Sequence, residues 1–201
     1  VWTGEEVLNE TDVHIKDGKI FNIGKGLTSK RATEVDATGK HLTAGIIDEH
    51  THIGALAINE AGHNSTAEVR MSDVVDPKDL DLYRNLAGGV TSAQLLHGSA
   101  NPIGGQSAIL RLKWGETADN LLFDGAPGFI KFALGENVKQ SNWESYNRFP
   151  QTRMGVEQVF VDYFNRAKEY QQLKASKKVY RYDEELETLV EIIESRRFIS
   201  S

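Results

Sequence analysis

The sequence Gly-Ile-Ile-Asp-Glu-His-Thr-His at residues 45–52 decides the fold of this chain. The apolar run at residues 42–47 predicts a buried strand. Alternate side chains of a strand point to one face, so we expect Asp48, His50 and His52 to project together. Two imidazoles on one strand end can hold a divalent cation, with the Asp48 carboxylate orienting one ring. The alternative interpretation is a surface strand with two incidental histidines.

The rest of the chain alternates between strand and helix patterns. We predict a long surface loop at residues 135–153, which is rich in polar side chains. Alternation of strands and helices is typical of a parallel sheet with helical crossovers. The predicted strands are residues 90–96, 108–112, 128–134 and one opening at residue 197, and the predicted helices are residues 77–87, 155–175 and 183–196.

The first 43 residues have a different character. Asp17-Gly18 separates two alternating segments, residues 12–16 and 19–24, and this arrangement is a strong signal for a β-hairpin. A second short strand is predicted at residues 33–36. We therefore expect residues 1–43 to form a β-domain and residues 44–201 to form an α/β domain.

Composition excludes several classes of protein. The 201 residues carry 23 Lys and Arg against 29 Asp and Glu, a net charge of −6, which argues against a general nucleic-acid binder. No apolar run is long enough to predict a membrane span. The chain has no cysteine, so any metal site must use histidines and carboxylates. Nothing in the sequence assigns a cellular compartment.

Lys131 is the second candidate for a metal centre. It lies in the otherwise apolar sequence Gly-Phe-Ile-Lys-Phe-Ala-Leu-Gly, residues 128–135. A charged ammonium in such a strand is costly unless it is paired or neutralised. Two interpretations stay open: the lysine reaches solvent at the strand end, or it points at a metal or substrate.

Polar residues of two loops are candidates for substrate binding. His97 follows a predicted strand and opens a glycine-rich loop that contains Asn101 and Gln106. Sites in α/β folds lie at this end of the strands. The loop lacks the Gly-Lys-Ser/Thr ending of a P-loop. His63 lies in the loop after the His-x-His strand and could reach the same substrate. A simple turn and a solvated loop are the alternatives.

Together these motifs resemble the amidohydrolase superfamily, nearest its imidazolonepropionase-like and prolidase-like members. The resemblance covers essentially the whole chain. The matching motifs are Asp-Gly-Lys-Ile at 17–20, Thr-Gly-Lys at 38–40, Gly-Ile-Ile-Asp-x-His-x-His at 45–52, Ala-Gly-Gly-Val-Thr-Ser at 87–92 and Gly-Phe-Ile-Lys at 128–131.

The resemblance implies a (β/α)8 TIM-type barrel beside a small β-sandwich. Residues 1–43 would be part of the sandwich, and residues 44–201 about the first four βα units of the barrel. It also implies one or two divalent metal ions, zinc foremost, held by His50, His52 and a carboxylated Lys131. The activity implied is hydrolysis of amide-like C–N bonds, in a cyclic amide or a peptide-like small molecule, by metal-activated water.

The chain departs from the superfamily in length. A complete barrel needs about 250 residues, and about 160 follow the hairpin region. The superfamily's later histidines and its aspartate general base have no candidate here, so the catalytic base is unassigned. We expect an incomplete chain that is inactive alone and self-associates through its exposed interior face. The alternatives are a non-enzymatic scaffold of the superfamily and a simple metal-binding module.

Overall fold

The computed structural model describes residues 1–140, 148–176 and 178–201. These residues form a mixed α/β fold with two compact units, residues 1–45 and residues 46–201. None of the described helices is both long and apolar enough to cross a bilayer. The elements are β1 (Asp12–Lys16), β2 (Lys19–Gly24), β3 (Ile46–Thr51), α1 (Leu80–Ala87), β4 (Val90–Leu95), β5 (Ile103–Gln106), β6 (Ala108–Arg111), α2 (Ala118–Leu121), β7 (Gly128–Phe132), α3 (Arg153–Ala175), α4 (Glu184–Ile193) and β8 (Arg197–Ser200).

The first unit contains the predicted hairpin. Strand β1 pairs antiparallel with β2, and Asp17 and Gly18 both have positive φ angles, 52° and 71°. This confirms the hairpin, since a type I′ turn needs positive φ at both central residues. The strand predicted at residues 33–36 is wrong: those residues form no strand, and Val35 is 84% exposed. No described strand lies beside them to supply the hydrogen bonds of a ladder.

The first sheet of the second unit has the strand order β3-β4-β6. Strands β3 and β4 are parallel, as expected, whereas β6 runs antiparallel to β4. The strand predicted at residues 108–112 is therefore present, but the expectation that it runs parallel to its neighbour is wrong. A parallel neighbour needs a long crossover, usually a helix, and residues 96–107 contain none.

The position of β3 differs from the prediction. It begins at Ile46 and runs to Thr51, instead of residues 42–47, and so includes Asp48 and His50. Ile46 and Ile47 are 56% and 74% exposed, so the expectation of a buried strand is wrong. The cause is the edge position of β3, which pairs only with β4 in this sheet.

The second sheet has the order β5-β7-β8, with β7 and β8 parallel. Strand β5 was not expected, because its sequence Ile-Gly-Gly-Gln has two glycines. Residues 65 to 70 lie beside it through the parallel bridges Ser65–Ile103 and Arg70–Gln106. The apolar side chains of β5 and β7, among them Ile103 and Ile130, pack against α3 and α4 in one buried cluster.

The three long helices lie close to their predicted ranges. Helix α1 begins at Leu80 because the Asp79 carboxylate, rather than that of Asp76, accepts the N-terminal hydrogen bond from Asp81 N. Asp183 caps α4 in the same way. Of the loop predicted at residues 135–153, residues 141–147 lie outside the described part of the chain. A 3-10 turn, Glu136–Val138, occupies part of the rest.

Candidate metal centre

The two histidines of the His-x-His motif lie together at the carboxyl end of β3. Their ring centroids are 5.6 Å apart, and the ring planes are nearly perpendicular, at 85°. Both side chains are exposed at this strand end. Two imidazoles at this spacing can present their nitrogens to one point between them.

The orientation of the His52 ring is fixed by the neighbouring strand. Its Nδ1 lies 2.9 Å from the carbonyl oxygen of Leu96, the residue that follows β4. A carbonyl only accepts, so Nδ1 must carry the proton and donate it. The Nε2 lone pair is then free for a cation, and this is the arrangement that metal-binding histidines commonly show.

Lys131 lies on β7, in the second sheet, and its approach to the two histidines stays a prediction. It is 3% exposed, and burial lowers the pKa of its ammonium. Partial loss of hydration lowers the pKa of the exposed His50 ring, and the positive charge of Lys131 lowers it further. Within the described residues no carboxylate forms an ion pair with Lys131. The centre therefore holds a buried lysine whose charge is not compensated.

The donors at this end of the sheet are few. Across residues 1–140, 148–176 and 178–201, no three His, Cys, Asp or Glu side chains are grouped to hold a metal ion. The centre consists of two imidazoles and one lysine. A protonated lysine repels a cation, so Lys131 can join a metal site only after its charge is removed.

Asp48 contacts the main chain of the motif. Its carboxylate accepts a hydrogen bond of 3.1 Å from the backbone N–H of His50. Its negative charge, like that of Glu49, raises the pKa of His50 and so opposes the effect of Lys131. Orientation of an imidazole by Asp48 stays a prediction.

His97 is buried, and both of its ring nitrogens are engaged. Nδ1 donates to the carbonyl of Gly98 at 2.8 Å, and Nε2 accepts from the backbone N–H of Glu60 at 2.7 Å. These two bonds require the neutral ring, and burial lowers the pKa of His97. The imidazole thus binds the protein's own main chain, and the predicted substrate contact has no free nitrogen to use.

Asn101, Gln106 and His63 also have partners within the fold. The Asn101 amide donates to the carbonyls of Glu60 and His63, at 3.3 and 3.2 Å. The Gln106 amide donates to the Ala67 carbonyl at 2.9 Å. His63 is exposed and contributes its carbonyl to this network. Contact of these three residues with a substrate stays a prediction.

Sequence reasoning missed the Leu96 carbonyl, whereas Glu60 belongs, with His63, to the ionisable loop residues that the sequence already offers as possible substrate contacts. The carbonyl is a main-chain group, which carries no residue-type signal. Glu60 stood among other polar residues of a loop, and its fixed main chain becomes visible only in three dimensions.

Comparisons with known proteins give a consistent result. No protein-family model matches the chain. It is 32% identical to the amidohydrolase tasK of Hapsidospora irregularis over 204 residues, 83% of this chain. It is 48% identical to the D-hydantoinase of Geobacillus stearothermophilus over 46 residues, 23% of this chain.

A solved structure matches over most of the fold. The crystal structure of an amidohydrolase from Thermotoga maritima superposes with a TM-score of 0.82 and 32% identity over 90% of this chain. The chain spans 50% of that protein and 21% of tasK.

Proposed function

The chain belongs to the amidohydrolase superfamily, and from that premise we propose that the protein carrying it is a metal-dependent hydrolase. Its substrates are amide-like C–N bonds in small molecules, either cyclic amides or peptide-like compounds. The nearest members in this proposal are imidazolonepropionase-like and prolidase-like enzymes. The D-hydantoinase segment that it resembles supports a cyclic amide as the first substrate to test.

The proximity of His50 and His52 at one strand end carries the proposal. The His52 ring offers a free Nε2 because its Nδ1 donates to Leu96. The His50 ring lies across from it at 5.6 Å. Lys131, a buried lysine without a carboxylate partner among the described residues, is the candidate third ligand. Carboxylation by CO₂ would turn this uncompensated cation into an anionic ligand.

These residues fit one or two divalent cations, with zinc as the first candidate. When bound, such a metal lowers the pKa of a water molecule and polarises the substrate carbonyl. His50 and His52 would hold it, Leu96 would keep the His52 tautomer, and the Asp48 carboxylate would hold the His50 main chain. The catalytic base stays unassigned, because the described residues offer no further carboxylate beside the two rings.

The architecture implied by the superfamily is part of the proposal. We assign residues 44–201 to the first part of a (β/α)8 TIM-type barrel and residues 1–43 to part of a β-sandwich. The parallel pairs β3–β4 and β7–β8 support this assignment. Self-association through exposed apolar residues such as Ile46 and Phe198 is expected of the chain on its own.

A second candidate function is a non-enzymatic scaffold or a simple metal-binding protein. The two exposed imidazoles of His50 and His52 are the feature that such a protein would use. Metal binding without hydrolysis would identify it.

Metal content and hydrolysis test the proposal. The full-length protein, loaded with zinc and assayed on a panel of hydantoins and dipeptides, should lose bound metal and turnover in His50→Ala and His52→Ala. His14→Ala, at a half-buried histidine of β1, is the control and should change neither. Unchanged metal content and turnover in both site variants would overturn the proposal.

A further inference from the structure

Residues 58–67, which we call the β3 loop, are held by the segment that follows β4. The backbone N–H of Gly98 donates to the Ile58 carbonyl at 2.6 Å. His97 Nε2 accepts from the N–H of Glu60, and the Asn101 amide donates to the carbonyl of the same residue. The main chain of Glu60 is thus fixed on both sides.

The glycines of that segment make this close approach possible. A Cβ atom on Gly98 would lie 2.2 Å from Oδ1 of Asn59, and one on Gly104 would lie 2.7 Å from Nδ1 of His97. Real Cβ atoms are not found at such distances. The glycine-rich sequence after β4 therefore packs closely against the β3 loop and the His97 ring, and it is not merely a turn.

The Glu60 side chain differs from its main chain in having no partner. It is exposed, and within the described residues no hydrogen bond or ion pair involves its carboxylate. Its negative charge raises the pKa of His97, and the charge of His52 lowers that pKa. The Glu60 main chain is hydrogen-bonded to His97, and the preceding residue, Leu96, accepts from His52, so the β3 loop lies beside the candidate metal centre.

A carboxylate with a fixed main chain and a free head is suited to recognition. Binding through such a group requires no ordering of the loop main chain, so only the side-chain rotamers of Glu60 must be fixed. A carboxylate selects a positively charged donor, with which it forms strong charge-assisted hydrogen bonds. Lys131 supplies the positive charge at the centre but is buried, so it does not neutralise Glu60 at the surface.

We propose that Glu60 is a specificity-determining residue that binds an ammonium or guanidinium group of the substrate. His97 and Asn101 are the positioning residues that hold its main chain. This inference rests on the proposed hydrolase function and narrows its substrates to amides that carry a positive charge away from the scissile bond.

The test compares matched substrates in the full-length protein. Each pair, a hydantoin or a dipeptide, differs only in carrying a lysine or a norleucine side chain, which are similar in length. We expect the lysine compound to have a kcat/KM about tenfold to a hundredfold higher, the range of one charge-assisted hydrogen bond. In Glu60→Gln the ratio should fall towards one through a higher KM for the lysine compound.

Two variants serve as controls. Glu60→Asp keeps the charge and should retain part of the preference. Glu68→Gln removes an exposed carboxylate just beyond the β3 loop and should leave the ratio unchanged.

An equal rate on both compounds, or a preference that survives in Glu60→Gln, would overturn the inference. If the protein hydrolyses neither compound, calorimetric binding of the same pair decides. Tighter binding of the lysine compound that is lost in Glu60→Gln supports the inference even when the hydrolase proposal fails, and equal or absent binding overturns it.

Discussion

Replacing Lys131 by methionine is expected to stabilise the metal-free protein. The lysine is 3% exposed, and no carboxylate of the described residues pairs with it. Folding therefore removes its charge from water without compensation. A buried polar group left without a partner costs about 1–3 kcal/mol, and a charge costs more. Methionine has a similar length and no charge, so we expect the free energy of unfolding to rise by about 1–3 kcal/mol near neutral pH.

The pH dependence gives this prediction a second signature. Burial places the pKa of Lys131 in the folded protein below its ordinary value of 10.5. Between these two values the unfolded chain binds more protons than the folded one, so stability rises with pH. The penalty is complete below the folded-state pKa and is relieved as pH rises towards the unfolded value. Lys131→Met removes this rise.

Urea denaturation in the presence of a chelator, from about pH 7 to about pH 10, measures both effects. In a protein of this size a gain of 1 kcal/mol corresponds to a rise of about 2–4 °C in Tm. Lys113→Met, at an exposed lysine, is the control and should change stability by less than about 0.5 kcal/mol. A destabilised Lys131→Met, or one with the same pH slope as the parent, would refute the reasoning.

Three further predictions concern capping, packing and the approach of the site residues. Asp79→Ala removes the acceptor for Asp81 N and Gly54 N, and should lower the unfolding free energy by about 1–2 kcal/mol in urea denaturation. Gly104→Ala places a Cβ against a buried imidazole and should cost about 1–3 kcal/mol, whereas an added Cβ at position 135 meets nothing within 4 Å. The imidazole of His50 should titrate below its ordinary 6.5, and NMR should find that pKa higher in Lys131→Met; an unchanged value would contradict the approach of the two residues.

Local signals were sufficient for some elements and insufficient for others. The hairpin was predictable because Asp17-Gly18 fixes its turn within a few residues. The strand at residues 33–36 was predicted wrongly because a strand also needs a neighbour, which local sequence does not reveal. Likewise, residues 42–47 were wrongly predicted to form a buried strand. The strand there lies at the edge of its sheet, and only the sheet order shows this.

The candidate site followed the same division. The spacing of His50 and His52 on a strand predicted that the rings would share a face. The single charge of Lys131 in an otherwise apolar strand made it a candidate ligand. The Leu96 carbonyl left no sequence signal. Strand β5 was missed because Gly104 and Gly105 are poor strand formers, yet packing of the His97 ring requires both: an added Cβ at either position would lie within 3.0 Å of it.

In the β3 loop, main-chain groups fix the course of the chain and exposed side chains form the surface, and this affects which substitutions the protein can accept. The course of the loop is fixed through main-chain groups of residues such as Ile58 and Glu60, while the side chains of Asn59, Glu60 and His63 are exposed. Substitutions at Glu60 and His63 should therefore alter the surface chemistry with little cost in folding, whereas the Asn59 side chain packs against Gly98. A new substrate preference could then arise through single replacements, with no change in loop length and no repair elsewhere in the chain.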